Sequence, residues 1–263
     1  MKHFWMIRWV FLASMFHLNA GAEPNQPVYK TGYSTIMALG RALYGRLDAA
    51  NQDIISSQPI VIDPDTKPFV RLFFAPDEPK PQRGVTISVG FVDLANHIAH
   101  AKAIDKIEKG YFDRYLKILA TETGETALKD LPNDTNPAYW TDQMLDEQQS
   151  NFNSIVGAVV GMKLANHYLG YYEKYKGQLK DNDNIYGLLD PKEWEKCVSS
   201  GIFNSLDAGY TVEGLLPFLE AFDKMPARPV WSQYFIPSTV RYAKTKKQIE
   251  RIQSDFFAGR KRS

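Results

Sequence analysis

The 263-residue sequence has a single cysteine, Cys197. One thiol cannot form an internal disulfide, which excludes the small disulfide-stapled scaffolds common among exported proteins. An excess of charge of one sign is also lacking, because 31 lysines and arginines are balanced by 30 aspartates and glutamates. Since a net charge so close to zero offers no electrostatic attraction for nucleic acid or an anionic membrane, neither is expected as a partner.

Long hydrophobic runs are absent except at the N-terminus, where an apolar stretch over residues 9–18 follows a basic start and precedes Ala20-Gly21-Ala22. This run is shorter than the roughly 20 residues that span a membrane. A basic start, a short apolar run and small residues at a cleavage site are typical of a secretory signal peptide. We therefore predict a signal peptide over residues 1–22, export to the periplasm or the exterior, and no integral membrane segment after its removal; an N-terminal anchor is the alternative.

The remaining chain, residues 23–263, has no proline-, glycine- or serine-rich linker that would separate two halves. With 44% hydrophobic residues it can bury one large core, so we expect a single domain. Removing residues 1–22 takes away two basic residues and leaves a net charge of about −1.

Hydrophobic periodicity predicts an α+β protein that is mainly helical. Apolar residues recur every three or four positions over residues 35–51, which is typical of one buried face of a helix. Three short β-branched or aromatic segments at 59–62, 68–74 and 84–92 predict a small antiparallel sheet. Further helices are expected over residues 93–118, with Asp93 as the cap, and over 152–175, 191–208, 212–225 and 238–257.

The segment VVGMKLANHYLGYYEKY, residues 159–175, resembles the active-site helix of gluzincin zinc metallopeptidases of the CAAX-prenyl-protease and periplasmic protease-chaperone type. In that family an HExxH motif places two zinc-binding histidines on one helix face, and its glutamate polarises the zinc-bound water. In this alignment Met162 takes the place of the first histidine, Lys163 that of the glutamate and Asn166 that of the second histidine.

A second segment, residues 193–225, resembles the family's downstream helix, which carries the third zinc ligand, a glutamate, and ends in an Ala-Gly-Tyr turn. The family's spacing places that ligand at Lys196, within one residue, with Glu193 and Glu195 nearby. The resemblance covers residues 84–225 and implies a small sheet beside a gluzincin-like helix pair. Because the motif residues are replaced, it implies a pseudoenzyme without a cofactor, whose old substrate cleft binds a protein or peptide segment or only supports the fold.

The alternative is a metal-dependent hydrolase with a rearranged zinc site. His97 and His100, three apart, can lie on the same side of a helix, and His167 is the third histidine of residues 23–263. Asp93 or Glu173 could assist them. The competing interpretation is that His97 and His100 are ordinary half-buried polar residues beside an apolar stripe.

Three further sequence features could have a functional or structural role. Tyr168, Tyr171 and Tyr172 could line a peptide-binding groove. Gly157 and Gly161, four apart, favour close packing of helices inside the protein over a dimer interface. Cys197 lies in no nucleophile motif, and a purely structural protein of the cell envelope is the third functional hypothesis.

Overall fold

The computed structural model describes residues 29, 32–76, 81–179 and 184–259. The predicted signal peptide and the basic residues 260–262 lie outside the described residues. The part from residue 32 to residue 259 forms one compact unit. Among the described helices, none is both long enough and apolar enough to cross a membrane.

The described residues are mainly helical with a small sheet, which confirms the predicted α+β class. The α-helices are α1 Tyr33–Gly45, α2 Ala49–Ile54, α3 Val89–Ile104, α4 Tyr111–Leu119, α5 Asp142–Tyr168, α6 Tyr171–Tyr175, α7 Pro191–Asp207, α8 Leu215–Lys224 and α9 Tyr242–Phe257. Short 3-10 helices are Pro137–Tyr139, Ile185–Gly187 and Val230–Tyr234. The strands are β1 Ile60–Asp63, β2 Val70–Ala75 and β3 Gln82–Ser88.

The sheet is mixed, with the strand order β1-β3-β2. β2 pairs antiparallel with β3, as predicted, and β1 pairs parallel with β3, so the expectation of a wholly antiparallel sheet is wrong. The chain leaves β1, forms β2 and then returns between the two as β3. The central position of β3 buries Val85 and Ile87 against the helices.

The third strand passes into α3 without a connecting loop. The Ser88 hydroxyl is the N-cap of α3, because it accepts a hydrogen bond from the main-chain N–H of Phe91 at 3.0 Å. It also accepts from the N–H of Phe69 at 2.9 Å, which ties the helix start to the strand beside it. The predicted cap, Asp93, lies inside α3 instead, five residues after the observed cap at Ser88.

Two of the predicted long helices are interrupted at a glycine. Gly110 precedes α4 with φ +82°, and Gly170 precedes α6 with φ +77°. Left-handed backbone of this kind is easily adopted only by glycine, so each residue turns the chain where an unbroken helix was expected. The predicted end of α7 at Gly209, with φ +87°, is confirmed.

Helix α5 runs through the centre of the fold. It packs against α3 and α7 and touches β2 and β3 at the sheet. From Ile155 to His167 every residue of α5 is buried, so this stretch is enclosed on all sides. A helix buried all round is the centre of a core, and its polar residues must find partners inside the protein.

Candidate functional site

The candidate site lies where α5 crosses α7. A Cβ atom on Gly201 of α7 would lie 2.3 Å from the main-chain nitrogen of Met162, and one on Gly161 would lie 2.7 Å from the Gly201 carbonyl oxygen. A Cβ on Gly157, one turn earlier on α5, would lie 2.9 Å from the Ser205 hydroxyl. The prediction that Gly157 and Gly161 mark close internal packing is confirmed. This contact brings the residues that follow Gly161 on α5 against α7.

Lys163 is buried in this crossing, with 1% of its surface exposed. Its ammonium nitrogen donates a hydrogen bond to Asn184 Oδ1 at 3.0 Å and lies 3.5 Å from the centre of the Tyr186 ring. Burial lowers the pKa of Lys163 well below its ordinary value, while nearby Cys197 acts in the opposite direction. The Lys163 amine, which takes the place of the glutamate when the segment is aligned with HExxH, is therefore enclosed by protein.

Asn184 and Tyr186 close this side of the crossing. The Asn184 side chain caps the 3-10 helix Ile185–Gly187 and also donates to the carbonyl oxygen of Gln233. Tyr186 is 1% exposed, and its ring contacts that of Trp194 on α7, with the centroids 4.8 Å apart. The loop before α7 thus fills the space above Lys163 with an aromatic ring.

Asn166 is fully buried and uses all of its polar atoms inside the protein. Its amide nitrogen donates to the carbonyl oxygens of Met162 at 3.0 Å and Lys163 at 3.2 Å. Its Oδ1 accepts from the Cys197 thiol at 3.4 Å. Burial raises the pKa of this thiol, so Cys197 stays protonated and acts as a hydrogen-bond donor.

The residue of α7 that faces Asn166 is Cys197 and not Lys196. Lys196, the position that the family's spacing gives for the third ligand, is exposed to solvent. Glu193 is buried and occupied, since it accepts from Lys174 at 2.7 Å, from the Tyr175 hydroxyl at 2.8 Å and from the main-chain N–H of Asp190 at 3.0 Å. Glu195 forms an ion pair with Lys244.

These residues do not fit a zinc ion at the motif position. The thioether of Met162 is a weak zinc ligand, and the amide oxygen of Asn166 already accepts the Cys197 thiol. The Lys163 amine donates to Asn184, so its nitrogen is directed to another partner. The side-chain polar atoms of Lys163 and Asn166 are thus already bonded to protein atoms.

The structure does not bring His97, His100 and His167 together. His97 Nδ1 lies 3.2 Å from the Tyr115 hydroxyl, and His100 Nε2 lies 2.6 Å from the carbonyl oxygen of Tyr139. His167 donates from Nε2 to the carbonyl oxygen of Gly84 in β3, at 2.9 Å. Within the described ranges no three His, Cys, Asp or Glu side chains are grouped so that they could hold a metal.

Each of these histidines is buried rather than half-buried, and burial governs its charge state. Burial lowers the pKa of His97 to about 4, with a smaller contribution from neighbouring His100. Burial also lowers the pKa of His167 to about 4, although its bond to Gly84 acts in the opposite direction. Of the two carboxylates that could assist these histidines, Glu173 pairs with Arg83 at 3.0 Å, and Asp93 is partly buried near Asp130.

The three tyrosines of the predicted groove are half-buried where α5 ends and α6 begins. Tyr172 contacts the rings of Phe74 in β2 and His167, with centroids 5.7 Å and 5.1 Å apart. Tyr168 and Tyr171 pack against the edge of the core. The three rings are therefore partly exposed, and that of Tyr172 lies against β2.

No family model, no curated protein and no solved structure matches the chain.

Proposed function

We propose that the protein is an exported metallopeptidase-like pseudoenzyme with a binding or scaffolding role. The observation that carries this proposal is the enclosure of Lys163 beneath Asn184 and Tyr186. A general base must reach a water molecule or substrate within about 3 Å to transfer a proton. An amine that is 1% exposed and covered by a buried ring has no such access.

The chemistry of the replaced residues supports the same proposal. Met162 and Asn166 lie one turn apart on α5, as two ligands of a metal would, but the side-chain polar atoms of Lys163 and Asn166 bond to protein atoms instead. The thiol of Cys197 completes this internal network. In this proposal Lys163, Asn166 and Cys197 form a buried polar cluster that holds α5 against α7, in the place of a former active site.

A binding role requires a surface outside this cluster. The half-buried rings of Tyr168, Tyr171 and Tyr172 supply one, because tyrosine rings offer a large apolar area to a protein or peptide segment. Arg83 and Glu173 form an ion pair beside Tyr172, at 3.0 Å, and supply a polar rim.

The metal content and peptidase activity of the purified protein test the proposal. Protein prepared without chelator should carry far less than one zinc per chain by mass spectrometry, and should cleave no member of a peptide library with or without added zinc. A His97→Ala/His100→Ala variant, measured in parallel, reports on the rearranged site. Stoichiometric zinc accompanied by chelator-sensitive cleavage would overturn the proposal, and its loss in the variant would assign the activity to the histidines.

A further inference from the structure

The near-zero net charge of the chain conceals an uneven distribution of charge along it. Residues 241–262 contain eight lysines and arginines and two acidic residues, a net charge of +6, of which residues 260–262 supply three. Residues 23–240 carry a net charge of −7. Because electrostatic attraction depends on the local charge, the balance of the whole chain does not exclude an anionic partner for its C-terminal part.

Helix α9 presents a basic face to solvent. The helix packs on α7 and α8, and its buried residues are Thr245, Ile249 and Ile252. At 3.6 residues per turn, Lys247 and Arg251 lie one turn apart on the opposite face, and both are exposed. The apolar side of α9 is thus already used by the core, while its outer side meets solvent with cations.

The cations of this face are only partly compensated by carboxylates. The ion pairs of the helix are Lys244–Glu195 and Lys246–Glu250, both at exposed positions of α9. Asp255, the other acidic residue of α9, is half-buried. Lys247 and Arg251 form no ion pair with any residue that the structure describes. Since exposed ion pairs contribute little to stability, the paired lysines can also turn to an anionic surface at low cost.

An exposed aromatic ring lies on the same side of the helix. Phe257, the last residue of α9, is 72% exposed. It follows Lys246 by about three turns of the helix, so the two residues lie along one line of the helix surface. Phe256 instead contacts Phe203 of α7, with the ring centroids 6.3 Å apart. The chain therefore leaves one large apolar side chain in water beside its basic face.

We propose that the outer face of α9 binds the protein peripherally to a bilayer that contains anionic phospholipid. Lys247 and Arg251 lie among the lipid phosphates, and the ring of Phe257 enters the interface between headgroups and acyl chains. The exposed ring favours a bilayer over a nucleic acid or an acidic protein surface, because an interface accepts an apolar side chain without a matching pocket. The proposal does not depend on the buried cluster around Lys163 or on the metallopeptidase-like interpretation.

Cosedimentation of the full exported chain with large unilamellar vesicles tests the proposal. One preparation contains about one third phosphatidylglycerol in phosphatidylcholine, and the other contains phosphatidylcholine alone. The variants are Lys247→Gln/Arg251→Gln, which removes the two unpaired cations, and Phe257→Ser, which removes the exposed ring. A DNA duplex at the same concentration of phosphate is measured in parallel as the competing polyanion.

Two control variants make the same chemical changes outside α9. Lys109→Gln/Lys117→Gln removes two exposed lysines, just before and within α4, that form no ion pair with any described residue. Ile107→Ser removes an apolar side chain that is 54% exposed. All of the substituted positions are exposed, and circular dichroism verifies that the variants are folded.

We expect binding to the anionic vesicles that weakens when the salt concentration rises from about 0.1 M to about 0.5 M. Lys247→Gln/Arg251→Gln should weaken it by about 25-fold, since each basic residue near an anionic surface contributes about fivefold. Phe257→Ser should weaken it by about fivefold, because a partly buried aromatic ring loses its transfer into the interface. Both controls should bind as the wild-type protein does.

Four outcomes would each overturn the proposal. The first is no binding to the anionic vesicles. Equal binding to phosphatidylcholine alone would assign the contact to an apolar segment such as residues 9–18. Equal losses in the control variants would show that only the overall charge or apolar area matters. Binding to the DNA duplex as tight as that to the vesicles, with no effect of Phe257→Ser on either, would make the face a site for polyanions in general.

Discussion

Gly161 of α5 and Gly201 of α7 lie so close that a Cβ on Gly201 would come within 2.3 Å of the main-chain nitrogen of Met162. Main-chain atoms of a buried helix cannot shift as a flexible side chain can. The close approach also determines which residues of the two helices meet, because it brings Asn166 within 3.4 Å of the Cys197 thiol. The geometry of the buried cluster thus depends on two residues that have no side chain.

Adding a methyl group at this contact should therefore be costly. We expect Gly201→Ala to lower the free energy of unfolding by about 1–3 kcal/mol or more, which is the usual effect of overpacking a core. Urea denaturation monitored by circular dichroism measures the change. Gly45→Ala is the matched control, because Gly45 is helical and a methyl group there would meet no atom of the described residues within 4 Å. Equal stability of the two variants would contradict the close contact.

Replacing Lys163 by an apolar side chain of similar length should stabilise the protein. Lys163→Met removes an amine that burial keeps from water, at the loss of one hydrogen bond to Asn184. We expect a gain of about 1–3 kcal/mol at neutral pH, in line with the replacement of buried charged groups by well-packed apolar ones. Chemical denaturation of both proteins measures this difference, and a loss of stability would show that the amine is a net stabiliser.

The gain from Lys163→Met should depend on pH. The unfolded lysine titrates near 10.5, and burial lowers the pKa in the folded protein. Between these two pKa values the unfolded chain binds a proton that the folded chain does not, so the stability of the wild-type protein rises with pH. The gain should be largest at the low end of this window and should shrink as the pH approaches 10.5. Unfolding free energies measured across this range test the slope, and a constant gain would contradict the lowered pKa.

His167 should destabilise the folded protein in acid. Its pKa is lowered to about 4 from an ordinary 6.5, so the unfolded chain binds a proton first as the pH falls through this window. As the pH falls from 6.5 to about 4, this difference should lower the free energy of unfolding of the wild-type protein by up to about 3 kcal/mol. His167→Gln keeps a donor for the carbonyl oxygen of Gly84 and should remove that part of the pH dependence. His97→Gln should remove a similar part, and unchanged slopes in both variants would contradict neutral buried histidines.

The thiol of Cys197 should be inert in the folded protein. It is buried, it donates to Asn166, and burial raises its pKa, so little reactive thiolate forms. We expect no reaction with a disulfide reagent such as 5,5′-dithiobis(2-nitrobenzoate) under native conditions and one equivalent of reaction in guanidinium chloride. Because the sequence has no other cysteine, the count is unambiguous. Rapid reaction of the native protein would show that the α5–α7 contact opens readily.

The helices could be predicted because their buried faces repeat along the sequence. Ile36, Leu39 and Leu43 are buried in α1 as their spacing indicates, and Pro191 begins α7 where a helix favours proline. The parallel pairing of β1 with β3 could not be predicted in this way. β2 lies between them in the sequence, and periodicity says nothing about which strands become neighbours.

The start of α3 was predicted five residues too late for a local reason. Val89, Phe91 and Val92 suit a strand as well as a buried helix. The apolar pattern therefore predicted a strand that continues to residue 92, past the observed N-cap at Ser88. A ligand position inferred by spacing is uncertain by one residue, which on a helix exchanges exposed Lys196 for buried Cys197. The contact of Lys163 with Tyr186 joins a helix to a distant loop. Periodicity shows which face of a helix is buried but not which distant residue it contacts, so this contact could not be predicted.

The direct passage from β3 into α3 has a mechanical consequence. Ser88 is at once the last residue of the central strand and the cap of the helix, and its hydroxyl also holds the chain beside β2 through Phe69. Because no loop separates them, β3 and α3 form one continuous rigid segment. We therefore expect β3 to move together with α3, whose His97 and His100 contact Tyr115 and Tyr139.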